Sequence, residues 1–379
     1  MKISKKEGSF AQINQIGLKK ILKKALNDDP VERNDLSILF QARGHDIFQI
    51  AQVADIIRER QVGESITYVV NRNINFTNVC TRNCLFCAYS VSEKSQQAYF
   101  DISTDFLRQK ITETHPYKIT EVCVQGGIHP DLRYEHYKLL IERIHTVDSS
   151  LHIHAFSPQE IKYAASSTEM DVEDVLRELK KSGLGSIPGT AAEILDDSIR
   201  KIICPNKVTT DEWTDIIELA HDLGLRSTAT ILFGHIENEN HWITHLDHIK
   251  KIQEKTNGFT EFIPLPFISD NTPLNRQKEH NIRLLSSLDY ILFYAVSRLY
   301  LGSVIPNLQT SWVKLGFPLS QILLTSGCND FGGTLFEENI TRSAGGYFGQ
   351  KVTPEKFQNQ ISMLHRPHSQ RDTLYNRIS

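Results

Sequence analysis

Three closely spaced cysteines constrain this chain more than any other feature. Within Asn75–Ser90, Cys80, Cys84 and Cys87 follow the spacing C-x3-C-x2-C and account for half of the six cysteines. A thiolate is a soft ligand that suits iron–sulfur clusters, zinc or copper(I). Most protein-held 4Fe–4S clusters take four thiolates, whereas this local set supplies three. Three thiolates on a four-iron cluster leave one iron open to a ligand that does not come from the protein.

A structural zinc ion is the alternative for these cysteines. Zinc usually takes four tetrahedral ligands, often from C-x2-C pairs. The fourth ligand would then be Cys123, Cys204, Cys328 or a histidine, all distant along the chain. In this alternative the chain is a zinc-stabilised binding protein without a redox role. We expect Cys123 to be a small core residue and the other two cysteines to be unligated, since free cysteine packs as a small hydrophobe.

The composition excludes several classes of protein. The 379 residues carry a net charge of −3, which gives no strong field to attract nucleic acid or an anionic membrane. No apolar run reaches the roughly 20 residues that span a bilayer. The amino terminus is basic but lacks the apolar run of a secretory signal. Six cysteines are too few for a disulfide scaffold in a chain of this length, so we expect a cytoplasmic protein with free thiols and with neither a nucleic acid nor a membrane as partner.

The pattern of apolar residues divides the chain into three parts. Residues 1–65 carry helical stripes and predict an amino-terminal helical extension. From residue 66, strand-like and helix-like segments alternate, and residues 66–350 are predicted to form the catalytic domain. Residues 351–379 are predicted to be a tail that packs on this domain or trails from it.

Alternating strands and helices imply a parallel sheet. We count about eight predicted strands between residues 66 and 326, the last two at 304–310 and 322–326. Two helices are especially clear: one runs from Asp171 to Gly183, and the other begins at Thr209 with a capping box. The sequence therefore predicts an α/β fold, a closed (β/α)8 barrel of the TIM type.

In such a barrel the chemistry lies on the loops that follow the carboxyl ends of the strands. In this chain, the residues that could carry chemistry occur in these predicted loops. The cysteine loop follows the first predicted strand, and later strands are followed or closed by Gln125, Gly126, Gly127, His152, His154, Glu193, His235, Glu237, Gln309, Asn329 and Asp330. This consistency predicts a single site at one end of the barrel.

The cysteine spacing, with Phe86 just before the last cysteine, resembles that of the radical S-adenosylmethionine (SAM) enzymes. In that family the open iron binds the amino and carboxylate groups of SAM, and an electron from the cluster cleaves SAM to methionine and a 5′-deoxyadenosyl radical. The resemblance implies that Cys80, Cys84 and Cys87 hold a 4Fe–4S cluster. It also implies SAM as a second cofactor and an electron donor such as flavodoxin or ferredoxin.

The resemblance extends to the residues expected to contact SAM. Glycines let a backbone approach a ligand closely, so Gln125, Gly126 and Gly127 resemble the family's Gly-Gly-Glu-like contact with the SAM amino group. This chain has Gly-Gly-Ile there, so the acidic contact is absent from that position. The segment Thr228–Glu237 resembles the adenine-binding strand G-x-I-x-G-x-x-E with threonine at its first glycine, and Glu193 resembles the ribose contact.

Longer motifs resemble the second subunit of FO synthase, an enzyme of deazaflavin biosynthesis. They are Gly183–Leu195, Ile203–Lys207, Thr228–Glu237, Phe259–Phe267 and Ser311–Gly316. The resemblance implies cleavage of L-tyrosine at Cα–Cβ, transfer of the 4-hydroxybenzyl group to C5 of 5-amino-6-(D-ribitylamino)uracil, and release of 2-iminoacetate. A separate FO synthase subunit 1 would act on the product. The alternative family is aminofutalosine synthase of menaquinone biosynthesis, which tends to carry Gly-Gly-Gly-Ala-Glu where this chain has Gly-Thr-Ala-Ala-Glu.

The implied reaction needs a base near the tyrosine amine, because a proton must leave it. The predicted catalytic candidates are His152, His154, His235 and Glu261. A histidine at the end of a strand can also be a hydrogen-bonded structural residue, and that alternative stays open. The predicted contacts for the ribityl chain or the amino-acid head group are Gln309, Asn329, Asp330 and Arg342.

Overall fold

Three helices cover the amino-terminal part of the molecule. In the computed structural model, which describes residues 5–277 and 279–378, they are α1 (Lys5–Leu26), α2 (Arg33–Phe40) and α3 (His45–Val62). The first four residues of the predicted extension lie outside the described residues. Leu36, Leu39 and Ile50 are fully buried and belong to the same apolar cluster as the interior of the sheet. The amphipathic pattern therefore serves packing, since burial of an apolar face supplies most of a helix's stability in a protein.

The strands form two parallel sheets. In chain order they are β1 (Ile66–Val69), β2 (Asn71–Asn75), β3 (Glu121–Gln125), β4 (His152–Ala155), β5 (Ser186–Ile187), β6 (Arg226–Phe233), β7 (Phe259–Pro266), β8 (Asp330–Gly333) and β9 (His368–Arg371). Strands β2 to β7 are neighbours in sequence order, and the second sheet has the order β8-β1-β9. Sequential parallel strands require crossover helices, which is the arrangement that the alternating pattern predicted.

The two sheets join into a closed circuit. Phe262 of β7 bridges to Leu308, and Gln309 bridges in turn to Asp330 of β8. On the other side, the Asn73 amide of β2 donates to the Leu335 carbonyl at 2.7 Å. Because every gap in the circuit is closed by backbone pairing, the structure confirms the predicted α/β barrel.

Helices after the extension alternate with the strands. They are α4 (Thr104–Thr112), α5 (Tyr134–Val147), α6 (Pro158–Ser166), α7 (Val172–Lys181), α8 (Asp197–Ile203), α9 (Thr210–Asp222), α10 (Glu239–Thr256), α11 (Pro273–Arg276), α12 (Ser287–Leu301), α13 (Trp312–Leu324), α14 (Ile340–Ser343) and α15 (Pro354–Ser362). The predicted capping box begins α9, since the Thr209 hydroxyl accepts from the Glu212 amide. Among the described residues, no helix combines the length and the apolar composition needed to cross a bilayer.

The last two predicted strands are wrong in detail. The segment 322–326 falls at the end of α13, whose Leu323 and Leu324 are buried, and the strand that occupies this place in the barrel is β8. A short apolar run is compatible with the period of a helix and with the period of a strand, so its pattern alone could not distinguish the two. The segment 304–310 contributes only the isolated bridges at Leu308 and Gln309.

The carboxyl-terminal strand β9 pairs with β1 at the amino-terminal end of the barrel. Val69 lies opposite Arg371, whose side chain is 1% exposed. Residue 379 of the predicted tail lies outside the described residues. We call this end of the barrel, where β3, β7 and β8 begin, the floor, and we call the end where the strands finish the mouth. Strand β9 therefore places the buried Arg371 at the floor.

Candidate active site

A cavity of about 410 Å³ occupies the inside of the barrel. Ten predicted site residues line it: Cys80, Cys84, Cys87, Gln125, Gly126, Gly127, His154, Glu193, Glu261 and Gln309. Six others do not: His152, His235, Glu237, Asn329, Asp330 and Arg342. The barrel therefore brings the predicted cysteine, glycine and carboxyl groups into one space.

Backbone hydrogen bonds hold the cysteine loop at the mouth. The Cys80 amide donates to the Val91 carbonyl at 3.2 Å, and the Cys87 amide donates to the Cys84 carbonyl at 3.1 Å. The Leu85 amide, between two of the cysteines, donates to Ile203 at 2.8 Å. All three cysteines are free thiols, so the loop presents its soft donors to the cavity in a fixed arrangement.

The spacing of these sulfurs fits a multi-iron cluster better than one zinc ion. Zinc–sulfur bonds of about 2.3 Å would bring tetrahedral thiolates to within about 4 Å of one another. Among the described residues, Glu93, His129 and Asp131 have ligand atoms gathered within 4.8 Å, but the three cysteines do not. Thiolates at separate corners of a 4Fe–4S cluster need no such convergence, so the donor set and its placement fit the cluster.

A lysine that the sequence analysis did not single out faces this loop. Burial raises the pKa of the Cys84 thiol well above its usual range, and the charge of Lys207 opposes that shift. The Lys207 ammonium pairs with Glu193 at 2.6 Å and lies 5.5 Å from the centre of the Phe86 ring. Because metal ligation requires thiolates, a fixed positive charge beside Cys84 favours the ligating form.

The paired glycines let the end of β3 pack directly on the cysteine loop. A Cβ on Gly127 would lie 2.2 Å from the Val79 carbonyl oxygen and 2.9 Å from the Cβ of Cys80. A Cβ on Gly126 would meet the Phe76 ring at 2.4 Å. All three distances are shorter than atoms tolerate, so this approach requires glycine.

Glu160 lies at the same strand ends and lines the cavity. Its carboxylate accepts from the Gly126 amide at 3.2 Å and from the Ser157 amide at 2.8 Å. Burial raises the pKa of Glu160 to about 6, although these donors oppose the shift. The structure therefore places an acidic group beside the glycine pair, although the residue after the pair is isoleucine.

Contacts between β5 and β6 position the segment that carries Glu193. The Gly189 amide donates to the Thr228 hydroxyl at 2.9 Å, and the Thr230 hydroxyl donates to the Gly189 carbonyl at 2.8 Å. A Cβ on Gly189 would lie 2.0 Å from the Thr228 carbonyl oxygen. The close approach of these backbones places Glu193 at the cavity wall near the cysteine loop.

Two predicted histidines share one serine. His154 Nδ1 and His152 Nε2 each hydrogen-bond the Ser186 hydroxyl at 2.7 Å. Burial lowers the pKa of His154 to about 4, although Glu121 opposes the shift. His154 lines the cavity as a neutral imidazole, whereas His152 lies beyond the lining.

Glu261 is a buried carboxyl at the floor of the cavity. Its Oε2 accepts from Gln309 at 2.8 Å, from the Tyr375 hydroxyl at 2.7 Å and from Arg371 at 3.4 Å. These bonds leave Oε1 without a hydrogen bond from any described residue. Burial raises the pKa of Glu261 to about 7, and the nearby Arg371 only partly offsets it. A carboxyl that titrates near neutral pH suits acid–base chemistry.

His235 and Glu237 form a buried pair outside the cavity. The two side chains are 2.7 Å apart, and Glu237 also accepts from Trp242 Nε1 at 2.8 Å. Burial alone would raise the pKa of Glu237, but His235 and the surrounding N–H donors lower it to about 2. These contacts shape the loop after β6, and neither side chain lines the cavity.

The remaining predicted substrate contacts also lie elsewhere. Asn329 binds Arg298 at 2.7 Å, and Asp330 binds Arg371 at 2.5 Å below the cavity lining. Arg342 is exposed and bonds to Gln350. Of the four predicted substrate residues, only Gln309 lines the cavity.

Sequence reasoning missed seven charged residues that line the cavity: Arg82, Glu121, Glu160, Lys207, Lys314, Glu338 and Arg371. The Ser157-x-x-Glu160 spacing indicates a capping box, which predicts a helix start but not a cavity position. Lys207 stands in a motif that supported the family resemblance, without a signal for its role. Arg371 is 110 residues from Glu261 along the chain, and no local pattern connects them.

Two protein-family models match this chain. The model of the Radical SAM superfamily matches residues 74–249, and the model of the CofH/MqnC C-terminal region matches residues 256–376. A protein of Archaeoglobus fulgidus is 47% identical over 329 residues, covering 87% of this chain and 93% of its own. A protein of Methanothermobacter thermautotrophicus is 42% identical over 362 residues, which cover 95% of this chain and 97% of that protein. Both are named 5-amino-6-(D-ribitylamino)uracil–L-tyrosine 4-hydroxyphenyl transferase.

Solved structures share the fold at low sequence identity. Methylornithine synthase (PylB) superposes with a TM-score of 0.72 at 16% identity, covering 92% of this chain and 97% of its own. The [FeFe]-hydrogenase maturase HydG superposes with a TM-score of 0.73 at 15% identity, and the match covers 93% of this chain and 76% of HydG. These likenesses support the barrel architecture.

Proposed function

We propose that this chain, which belongs to the family of 5-amino-6-(D-ribitylamino)uracil–L-tyrosine 4-hydroxyphenyl transferases, breaks the Cα–Cβ bond of L-tyrosine and joins the 4-hydroxybenzyl group to C5 of the aminouracil. The rest of the tyrosine leaves as 2-iminoacetate. The observation that carries the proposal is that the three-cysteine loop opens onto the same cavity as Glu261 and His154. The names of the relatives favour this function over aminofutalosine synthase and over a zinc-stabilised binding protein.

The chain has residues that fit both implied cofactors. Cys80, Cys84 and Cys87 would hold a 4Fe–4S cluster, and Gln125, Gly126, Gly127 and Glu193 would face SAM. When bound, these cofactors supply a 5′-deoxyadenosyl radical that takes a hydrogen atom from tyrosine. Glu237, the other predicted SAM contact, would act indirectly by shaping the loop after β6, since its carboxylate is engaged by His235 and Trp242.

The cavity walls suit two planar substrates. Ile263, Leu265 and Phe267 of β7 and its following loop line one side, and Leu335 lines another. Apolar walls with a few directed polar groups are typical of small-molecule sites. Enclosure by these walls would exclude water and bulk reductant from a carbon radical while the aryl group moves between substrates.

Glu261 is the base that the geometry supports best. Its Oε1 is free of hydrogen bonds from described residues, while Gln309, Tyr375 and Arg371 hold Oε2. A carboxylate held on one side keeps the other oxygen oriented to accept the proton from the tyrosine amine. Neutral His154 is the other predicted catalytic residue that lines the cavity, and it could also accept a proton.

The pH profile distinguishes these two bases. The pKa of Glu261 lies near 7, above its usual value, so the fraction of active carboxylate rises from pH 6 to 8. The pKa of His154 lies near 4, so its neutral fraction hardly changes over that range. We expect single-turnover adduct formation to increase through pH 7 and then level. Glu261→Gln should lower the rate and abolish the rise, and His154→Gln should keep it. A rise that persists in Glu261→Gln would assign the base elsewhere.

A product assay tests the proposed function. The protein is reconstituted with iron and sulfide without oxygen and incubated with reductant, SAM, L-tyrosine and the aminouracil. Mass spectrometry should then detect a 4-hydroxybenzyl adduct of the aminouracil together with the two-carbon fragment. Omission of either substrate should remove the adduct. SAM cleavage without any adduct would contradict the substrate assignment while leaving the radical chemistry in place.

We further propose two protein partners. The cluster needs a one-electron donor, such as a flavodoxin or a ferredoxin. An FO synthase subunit 1 would close the deazaflavin ring from the released adduct.

A further inference from the structure

Of the lysines and arginines that line the cavity, one has neither a hydrogen bond nor an ion pair from its side chain to any described residue. Lys207 pairs with Glu193 at 2.6 Å, and Arg371 pairs with Asp330 at 2.5 Å. Arg82 donates to the Asn206 carbonyl at 3.1 Å. Lys314 also lines the cavity, but its ammonium has neither a hydrogen bond nor an ion pair with any described residue.

The backbone around Lys314 is firmly held. It lies in the first turn of α13, where its amide donates to the Ser311 carbonyl at 2.9 Å. The Ser311 hydroxyl donates to the Pro264 carbonyl at 2.6 Å, and Trp312 Nε1 donates to the Gly333 carbonyl at 2.9 Å. The position of the lysine is therefore fixed by strands β7 and β8 on both sides, and its side chain extends from a rigid base.

The nearest carboxylates do not satisfy this lysine. Glu338 and Glu193 attract its charge, but neither lies within the 4.0 Å of an ion pair. Glu338 accepts instead from the Thr341 amide at 2.9 and 3.1 Å. Burial lowers the pKa of Lys314, because desolvation disfavours the ammonium. The side chain is half-buried, and leaving a partly desolvated charge without a partner is costly, which indicates that a ligand completes the site.

We propose that Lys314 binds the α-carboxylate of the amino-acid substrate. This rests on the proposed function, which brings three ligands to the cavity. The aminouracil and its ribityl chain carry no carboxylate. In the family that the chain resembles, the carboxylate of SAM is bound to the open iron. The tyrosine carboxylate is the remaining anion, and a lysine ammonium can form a charge-assisted hydrogen bond to it.

Ligand binding to the reconstituted protein with SAM and without reductant tests this assignment. L-tyrosine is compared with tyramine, which keeps the phenol and amine but lacks the carboxylate. We expect Lys314→Met to weaken tyrosine binding by about 10- to 100-fold, the loss typical of a charged hydrogen bond, and to change tyramine binding by less than about 2-fold. Lys314→Arg should retain part of the preference for tyrosine. Lys351→Met, which removes an exposed lysine, is the matched control and should change neither.

Each other result overturns the proposal. Equal weakening of tyrosine and tyramine would show that the lysine supports the fold of the cavity. Weaker SAM binding with unchanged tyrosine binding would assign the carboxylate to SAM. If the native protein forms the adduct and Lys314→Met still prefers tyrosine, the Lys314 assignment fails while the proposed function stands. If the native protein binds no tyrosine, both fail.

Thermal unfolding of the ligand-free protein provides a second readout. Because the ammonium lacks a partner, Lys314→Met should leave the midpoint temperature unchanged or raise it by about 1–4 °C. A lower midpoint would reveal a structural ion pair and contradict the proposal. Stabilisation together with lost tyrosine preference is the combination expected of a binding residue.

Discussion

Cys84→Ala is expected to abolish both iron loading and adduct formation. Cys84 is the central residue of the C-x3-C-x2-C loop and is 8% exposed, beside the charge of Lys207. Without it, two thiolates remain to hold a cluster that most proteins bind through three or four. Native protein should bind about four irons per chain after anaerobic reconstitution. The variant should bind few irons, lack the broad visible absorption of the cluster, and produce no adduct by mass spectrometry.

The matched control for this experiment is Cys204→Ala. Cys204 is a free cysteine near Cys84, 2% exposed, and it does not line the cavity. We expect it to retain the cluster and the adduct, because it removes a buried thiol without touching the predicted ligand set. Full iron loading and activity in Cys84→Ala would reject the cluster assignment. A colourless native protein that binds one zinc ion would reject it as well.

Arg371→Met should cost about 3–5 kcal/mol of unfolding free energy, which is the usual effect of removing one partner from a buried ion pair. Arg371 is 1% exposed and donates to Asp330 at 2.5 and 3.1 Å. It also contacts Glu261 at 3.4 Å and lies 3.9 Å from the centre of the Tyr375 ring. Methionine would leave two carboxyl groups at the floor without their cation. Urea unfolding followed by circular dichroism measures the loss.

Two further variants make the Arg371 result specific. Arg377→Met removes an exposed arginine six residues further along the same tail and should change stability by less than about 0.5 kcal/mol. Arg371→Met combined with Asp330→Asn should be less destabilised than the sum of the single variants, because the two groups interact directly. A loss below about 1 kcal/mol in Arg371→Met alone would show that the floor does not depend on this ion pair.

The placement of individual residues shows how far sequence reasoning could reach. Cys80, Gly127 and Glu193 belong to local motifs after strands, and a parallel barrel brings such segments to one mouth. Asn329 and Asp330 also stand near a strand, but the hydrogen bonds they form below the cavity depend on distant arginines. A motif places a residue at the correct end of a strand, whereas the direction of its side chain depends on neighbouring strands.

Glu261 and Lys314 also show what a local motif does not reveal. Both lie in motifs that support the family resemblance, but nothing in those motifs indicates that one carboxyl oxygen and one ammonium have no hydrogen-bond partner in the described part of the chain. The pKa of Glu261 near 7 results from burial among Gln309, Arg371 and Tyr375, two of which belong to the last nine residues. Burial and charge pairing are properties of the closed barrel.

The sequence by itself determined the three-cysteine motif, the parallel α/β class and the family, because each depends on spacing within a short segment or on a repeated local pattern. The tertiary structure decided the eighth strand, the floor and the position of Lys314 in the cavity wall. Strand β8 is short and contains two glycines, so only its neighbours identify it as a strand. Strand β9 reaches the floor by pairing with β1, about 300 residues earlier in the chain. Such long-range pairings are selected by burial and hydrogen bonding in the folded barrel, which leave no periodic trace in a local stretch of sequence.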